Sequence, residues 1–197
     1  MLAIHGFGDH EMPLRDGFGP LRVPGALAGI GLAVVLIGLD VLARVLPHAP
    51  SFSPVAASAL FAGMVIGRRY ALLVPLAAML LSDALLGFDD WRMRLVVYAA
   101  LTLPAVLGLM ARNTRWPAAF PLAVASSVIF FVATNFAVWL FSGMYPLDLA
   151  GLAKCYVAAL PFFQNTLIGD LLWTAALFGS LWIVRLALGT RTERAAA

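Results

Sequence analysis

The chain has 197 residues, of which 62% are apolar and 12% charged, and its mean hydropathy is +0.94. That is about half the charge a water-facing surface requires, which excludes an ordinary soluble domain. The net charge of +3 comes from basic residues scattered at helix ends, with no basic run of five or more, so no nucleic-acid-binding arm is present. A single cysteine, Cys155, excludes an internal disulfide, a CxxC pair and a Cys-rich zinc site.

Crossing a ~30 Å hydrocarbon layer takes about 20 apolar residues. Six such spans fill most of this chain and leave only short connections. The expected fold is therefore all-α integral membrane, a six-transmembrane-helix bundle with a short interfacial or re-entrant helix before the last span. Residues 1–23 form a cytoplasmic tail, 24–188 a single transmembrane domain and 189–197 a second cytoplasmic tail. The first tail lacks the early basic region and apolar stretch of a signal peptide. His5, Asp9, His10 and Glu11 within it read as a solvated tail rather than a metal site.

In chain order, helix 1 is predicted from Gly25 to Val45, ending before Pro47 and Pro50. Helix 2 starts near Ser53-Pro54, with proline allowed in a first turn, and ends at Gly67-Arg68-Arg69. Helix 3 covers Tyr70 to Gly87, and helix 4 Met93 to Ala111 with Pro104 inside it. Helix 5 runs from Ala118 to Phe141 and ends in the turn Ser142 to Pro146. The stretch from Leu149 to Leu160 is too short to span and reads as the interfacial or re-entrant helix. Helix 6 follows Pro161, from Phe162 to Leu188.

Orientation follows from the arginines and lysines in the short loops. One side holds Arg15, Arg22, Arg68, Arg69, Arg112, Arg115, Arg185, Arg191 and Arg194; the other holds Arg44, Arg92, Arg94 and Lys154. This bias places both termini of a multi-pass protein in the cytoplasm.

Ionisable groups in lipid cost roughly 2.5–3.5 kcal/mol each on insertion scales, so they mark function. Asp40 in helix 1, Asp83 in helix 3 and Asp170 in helix 6 form the acidic set. Asn135 in helix 5 and Gln164, Asn165 and Thr166 in helix 6 add neutral polar groups. By the predicted topology these groups converge on the outer half of the bundle, while the inner half is apolar. An outward-facing pocket is expected, with Asp83, Asn135, Asn165 and Asp170 supplying hydrogen bonds. Trp139 and Tyr145 add apolar contact, and Trp139 shares a helix face with Asn135. Asp40 is expected to pair with Arg44 one turn later. Trp91 and Tyr156 read as interfacial belt residues, and Cys155 as a buried, inert thiol. Gly25-Gly29, Ala59-Gly63 and Gly63-Gly67 are small-xxx-small pairs that permit close helix contact.

Several of these residues lie in longer phrases: Phe52-Ser-Pro-Val-Ala-Ala57, Leu80-Leu-Ser-Asp83 with Gly87, and Thr134-Asn-Phe-Ala-Val-Trp139. Tyr145-Pro146 and the stretch from Cys155 to Asp170 complete the set. On these, the chain resembles an uncharacterised bacterial family of small six-helix membrane proteins, over about residues 52–179. More distantly, it is similar to the substrate-binding S-components of energy-coupling-factor (ECF) vitamin transporters. That resemblance implies six helices, cytoplasmic termini, an outward-facing site for a vitamin-like nutrient and a separate coupling module. An Ala-xxx-Ala docking motif is common in the first helix of S-components, where this chain offers only Gly25-Gly29. The helix 3 cysteine that ligates cobalt in one cobalamin-uptake group has no counterpart here.

The leading expectation is thus a membrane-embedded binding or uptake protein for a small nutrient, with lipid and a small molecule as its partners and no nucleic acid. No cofactor and no metal is expected. The chain has no G-xxxx-GK[ST] phosphate loop, so any ATPase module must be a separate protein. The alternatives are a membrane scaffold or assembly protein, and a carboxylate-dependent enzyme pairing Asp83 with Asp170.

Overall fold

The computed structural model describes residues 19–196 apart from 24, 48 and 89, with side chains described as far as residue 187. The polar cluster at residues 5–11 lies outside the described residues. Among those described there are helices and no strands: α1 (Ala26–Val45), α2 (Val55–Phe61), α3 (Arg68–Ala71), α4 (Leu73–Leu86), α5 (Trp91–Met110), α6 (Ala119–Phe141) and α7 (Leu149–Ala196). A π-helical turn, Ala62–Ile66, prolongs α2, and a 3-10 turn, Trp116–Ala118, leads into α6.

Five stretches are long and apolar enough to cross a membrane: Ala26–Val45, Arg68–Leu86, Trp91–Met110, Trp116–Phe141 and Leu149–Ala187. Their outward faces carry Leu27, Val34, Leu80, Leu85, Leu95, Val128, Phe162 and Ile183, all exposed. Apolar surface of that extent is untenable in water and suits a hydrocarbon surround.

Two sequence expectations need correction. The second predicted helix is present, but α2 with its π turn has only 12 residues, Val55–Ile66. At 1.5 Å per residue it is about 18 Å long, well short of a ~30 Å layer. Pro54 precedes its first turn, and Gly67, at φ 114°, ends it after donating to Ala62 O at 3.0 Å. The short helix is the centre of the bundle: it packs against α1, α4, α5, α6 and α7, and only Ala56 and Ile66 of its residues are not fully buried.

The second correction concerns the short helix expected before Pro161. Leu149–Ala196 is one continuous helix with Pro161 inside it. The proline removes one backbone donor, but α6 packs along both sides of it. Tyr156 O–H donates to Val132 O at 2.7 Å, and the Phe131 ring lies 5.5 Å from that of Tyr156 and 4.7 Å from that of Phe163. A break there would expose several backbone groups in a setting without water, whereas the proline frees one carbonyl.

Loops 46–54, 87–90 and 142–148 share one end of the bundle, here termed distal. The proximal end is closed by aromatic packing. Phe61 meets Phe178 edge-on at 4.9 Å, and Trp116 lies 6.5 Å from Phe178 and 6.1 Å from Trp182. Residues 20–23 lie across this end rather than trailing free. Leu21 is buried, Val23 N–H donates to Val65 O at 3.2 Å, and Arg185 donates to the carbonyls of Pro20 and Arg22.

Glycines decide the central contact. A Cβ on Gly63 would overlap the Ala105 carbonyl of α5, and one on Gly108 would overlap the Leu60 carbonyl of α2. Gly29 of α1 is likewise covered from within, by Ile66 and Tyr70, whereas Gly25 is exposed. We expect Gly63→Leu and Gly108→Leu each to cost about 1–3 kcal/mol or to prevent assembly. Gly38→Leu, where an added Cβ meets nothing within 4 Å, is expected to be neutral. Thermal unfolding in detergent reads this, and a Gly63→Leu protein as stable as wild type would contradict the close crossing.

Candidate ligand-binding site

The last turn of α2 lies at the proximal end, where Val65 meets Val23 and Gly67 lies beside Arg112, so its missing length falls at the distal end. Loop 46–54 only partly fills that space. It is shaped by Pro47, Pro50 and Pro54, by Phe52 N–H donating to Ala49 O at 3.1 Å, and by Ser51 in the left-handed region at φ 59°. What remains is a cavity of about 360 Å³, within the range of small-molecule sites. Five helices and the loop wall it: Arg44 of α1, Ser51 and Ser53 of the loop, Leu86 of α4, Leu101 of α5, Phe130 of α6, and Thr166 and Asp170 of α7. The first turn of α2 contributes Ala56.

Arg44 does not pair with Asp40. Its Nε–H donates to Ser82 Oγ at 2.7 Å and its Nη2 to Asp83 Oδ1 at 2.6 Å, both on α4. Asp83 also accepts from Tyr98 O–H at 2.9 Å. Asp40 points inward instead, fully buried, and accepts from Ser58 Oγ of α2 at 2.8 Å. It lies below the cavity and does not line it. The arginine at the end of α1 reaches sideways to α4, while the aspartate one turn earlier faces the central helix. Asp83 lines a neighbouring cavity of about 230 Å³ between α4 and α5, which shares Arg44 and Val97 with the main one.

Asp170 is 4% exposed and accepts from Ser127 Oγ at 2.6 Å. It and Asp83 thus line different cavities, and the Arg44–Asp83 pair stands between them. Asn135 lines a third space, of about 160 Å³, that shares Ser51, Phe130 and Thr166 with the main cavity. Its Nδ2 donates within α6, to Phe131 O at 2.8 Å, and its backbone carbonyl accepts from the buried Cys155 thiol at 3.4 Å.

The remaining three expected residues lie outside the lining of the main cavity. Asn165 Nδ2 donates to Pro50 O at 3.2 Å and so ties loop 46–54 to α7. Trp139 Nε1–H donates to Pro146 O at 2.9 Å and closes the α6–α7 turn. Tyr145 is half-buried within that turn and lines none of the three cavities described.

Sequence reasoning passed over Arg44, Ser51, Ser53 and Phe130. Ser127, Phe130 and Thr134 recur at helical spacing on α6, a signal available beforehand. The loop serines had none, since their position depends on how far short α2 stops. Chemically, the cavity offers apolar walls, one aromatic ring, three hydroxyl-bearing residues and two charged groups.

A model of a family of unknown function, DUF6580, matches residues 27–192 of the chain. No curated protein and no solved structure matches it.

Breaking a buried ion pair costs about 3–5 kcal/mol. The Arg44 and Asp83 side chains are 24% and 13% exposed, so Arg44→Gln or Asp83→Asn is expected to cost less, about 2 kcal/mol. The Arg44→Met/Asp83→Leu double variant should lose clearly less than the sum of its single substitutions. Unfolding in micelles measures the cycle, and strictly additive losses would mean that the pair contributes nothing.

Proposed function

We propose that this chain, which belongs to the DUF6580 family, is a membrane-embedded binding protein that admits a small nutrient to its distal cavity for uptake. The observation that carries this reading is the convergence of polar side chains from α1, α7 and loop 46–54 with apolar ones from α4, α5 and α6 on one space of about 360 Å³. The proximal half of the bundle has aromatic packing in the corresponding place. Such a shape suits a receptor loaded from one side, not a channel.

In this reading the arginine-rich proximal end faces the cytoplasm of a bacterial inner membrane and the distal cavity faces outward. This reading gives the chain the role of an S-component of an energy-coupling-factor transporter, with a vitamin-like cargo, as the sequence resemblance implies. The chain has no phosphate loop, so energy would come from a separate ATPase or coupling module. The cavity favours this reading over a scaffold, for which a solid bundle is expected. An Asp83–Asp170 acid–base pair is disfavoured by Arg44 holding Asp83 in another cavity.

Native mass spectrometry of protein purified from its own membranes tests the proposal. Wild type should release a retained small molecule, and Ala56→Phe, which fills the cavity from α2, should carry at least about tenfold less. Equal retention by both proteins, or a wild type that retains nothing and binds no member of a vitamin panel, would refute it.

A further inference from the structure

We infer that the distal cavity selects a small organic cation, an amine-bearing molecule whose charged head meets Asp170 while its apolar body lies against Phe130 and Leu101. The inference rests on the reading of this cavity as the ligand site and adds the ligand's charge to it.

Two charged groups of opposite sign line the cavity, but they are not equivalent. The Arg44 guanidinium is already held by Asp83 at 2.6 Å and by Ser82 at 2.7 Å, and Asp83 is further held by Tyr98. Arginine and aspartate there form a neutral unit, with the carboxylate on the side away from the main cavity. Among the described residues Asp170 has no such counterion. Its hydrogen bond among the described residues comes from Ser127, a neutral hydroxyl that supplies a proton donor but no charge.

Among the described residues the main cavity with its Arg44–Asp83 wall thus holds one carboxyl group without a counter-charge, on a side chain that is 4% exposed. Buried charges require a counter-charge or a proton. A ligand ammonium supplies the first, and an anionic ligand would set like charges against each other. The rest of the lining fits an amine. Ser51, Ser53 and Thr166 offer hydroxyl oxygens as acceptors for its further N–H groups. Phe130 offers a ring face of the kind that attracts cations. Val97, Leu101 and Leu86 leave only apolar surface for the remainder of the molecule.

The test uses matched triplets of small aromatic and aliphatic probes, each body carrying an amine, an alcohol or a carboxylate. Tryptamine, tryptophol and indole-3-propionate form one such triplet. Binding is measured by calorimetry on the full chain in nanodiscs. Amines should bind at least about tenfold more tightly than the alcohols and acids of the same body. Asp170→Asn, nearly isosteric and still able to accept from Ser127, should remove that preference while leaving alcohol binding within about threefold. Asp170→Glu should restore it in part, which separates lost charge from lost folding. Tighter binding of acids or alcohols, or an amine preference that survives in Asp170→Asn, would overturn the inference and leave the cavity's role as a ligand site standing. Binding of no probe in any triplet would overturn both.

Discussion

The contact between Gly63 and Gly108 brings the backbones of α2 and α5 closer than any side chain would allow. It fixes a 12-residue helix in the middle of a ring of longer ones. Small residues are the usual means of such approach where no hydrophobic drive exists between helices. Ala59 and Ala105, both fully buried in one cluster, extend the same seam. With α2 locked there and its end at Gly67 held beside Arg112, its missing length has one place to appear. The distal cavity is the space that a full-length second span would have filled.

Polarity follows from that geometry. At the proximal end, Phe61, Phe178, Trp116 and Trp182 close the bundle with ring contacts. The bond between Asp40 and Ser58 ties α1 to the central helix, where a hydroxyl meets a buried carboxylate. Beyond it, Arg44, Ser82, Asp83 and Tyr98 form a chain of charge-assisted bonds across α1, α4 and α5. Asp170 and Ser127 tie α7 to α6 on the other side. Asp40, Asp83 and Asp170 each have a partner from a neighbouring helix, as the cost of burying them requires, but among the described residues only the Arg44–Asp83 pair cancels charge.

Most of the helices were legible in the sequence, because 20-residue apolar stretches bounded by arginine, proline and glycine have few alternatives in a bilayer. Helix 1 and α1 both end at Val45, and helix 5 and α6 both end at Phe141. What the sequence concealed depended on neighbours. Arg44 sits four residues from Asp40, a spacing that suggests a pair, yet the nearer partner in space is on α4. Pro161 looks like a stop, but packing against α6 outweighs one lost hydrogen bond. Asn165 and Trp139 look like ligand groups and are spent on carbonyls of Pro50 and Pro146. A side chain's type and depth can be read along a chain; the partner it finds cannot.

The central claim is that α2 stops short and leaves a space open to the distal face. Cysteine accessibility in sided membrane vesicles tests it most directly, in a Cys155→Ala background. Ser53→Cys, on the cavity wall, should react with a membrane-impermeant maleimide in right-side-out vesicles and not in inside-out ones. Ser58→Cys, fully buried one turn into α2, should react in neither. A Ser53→Cys protein as inert as Ser58→Cys, or one labelled only from the inside-out face, would contradict the account.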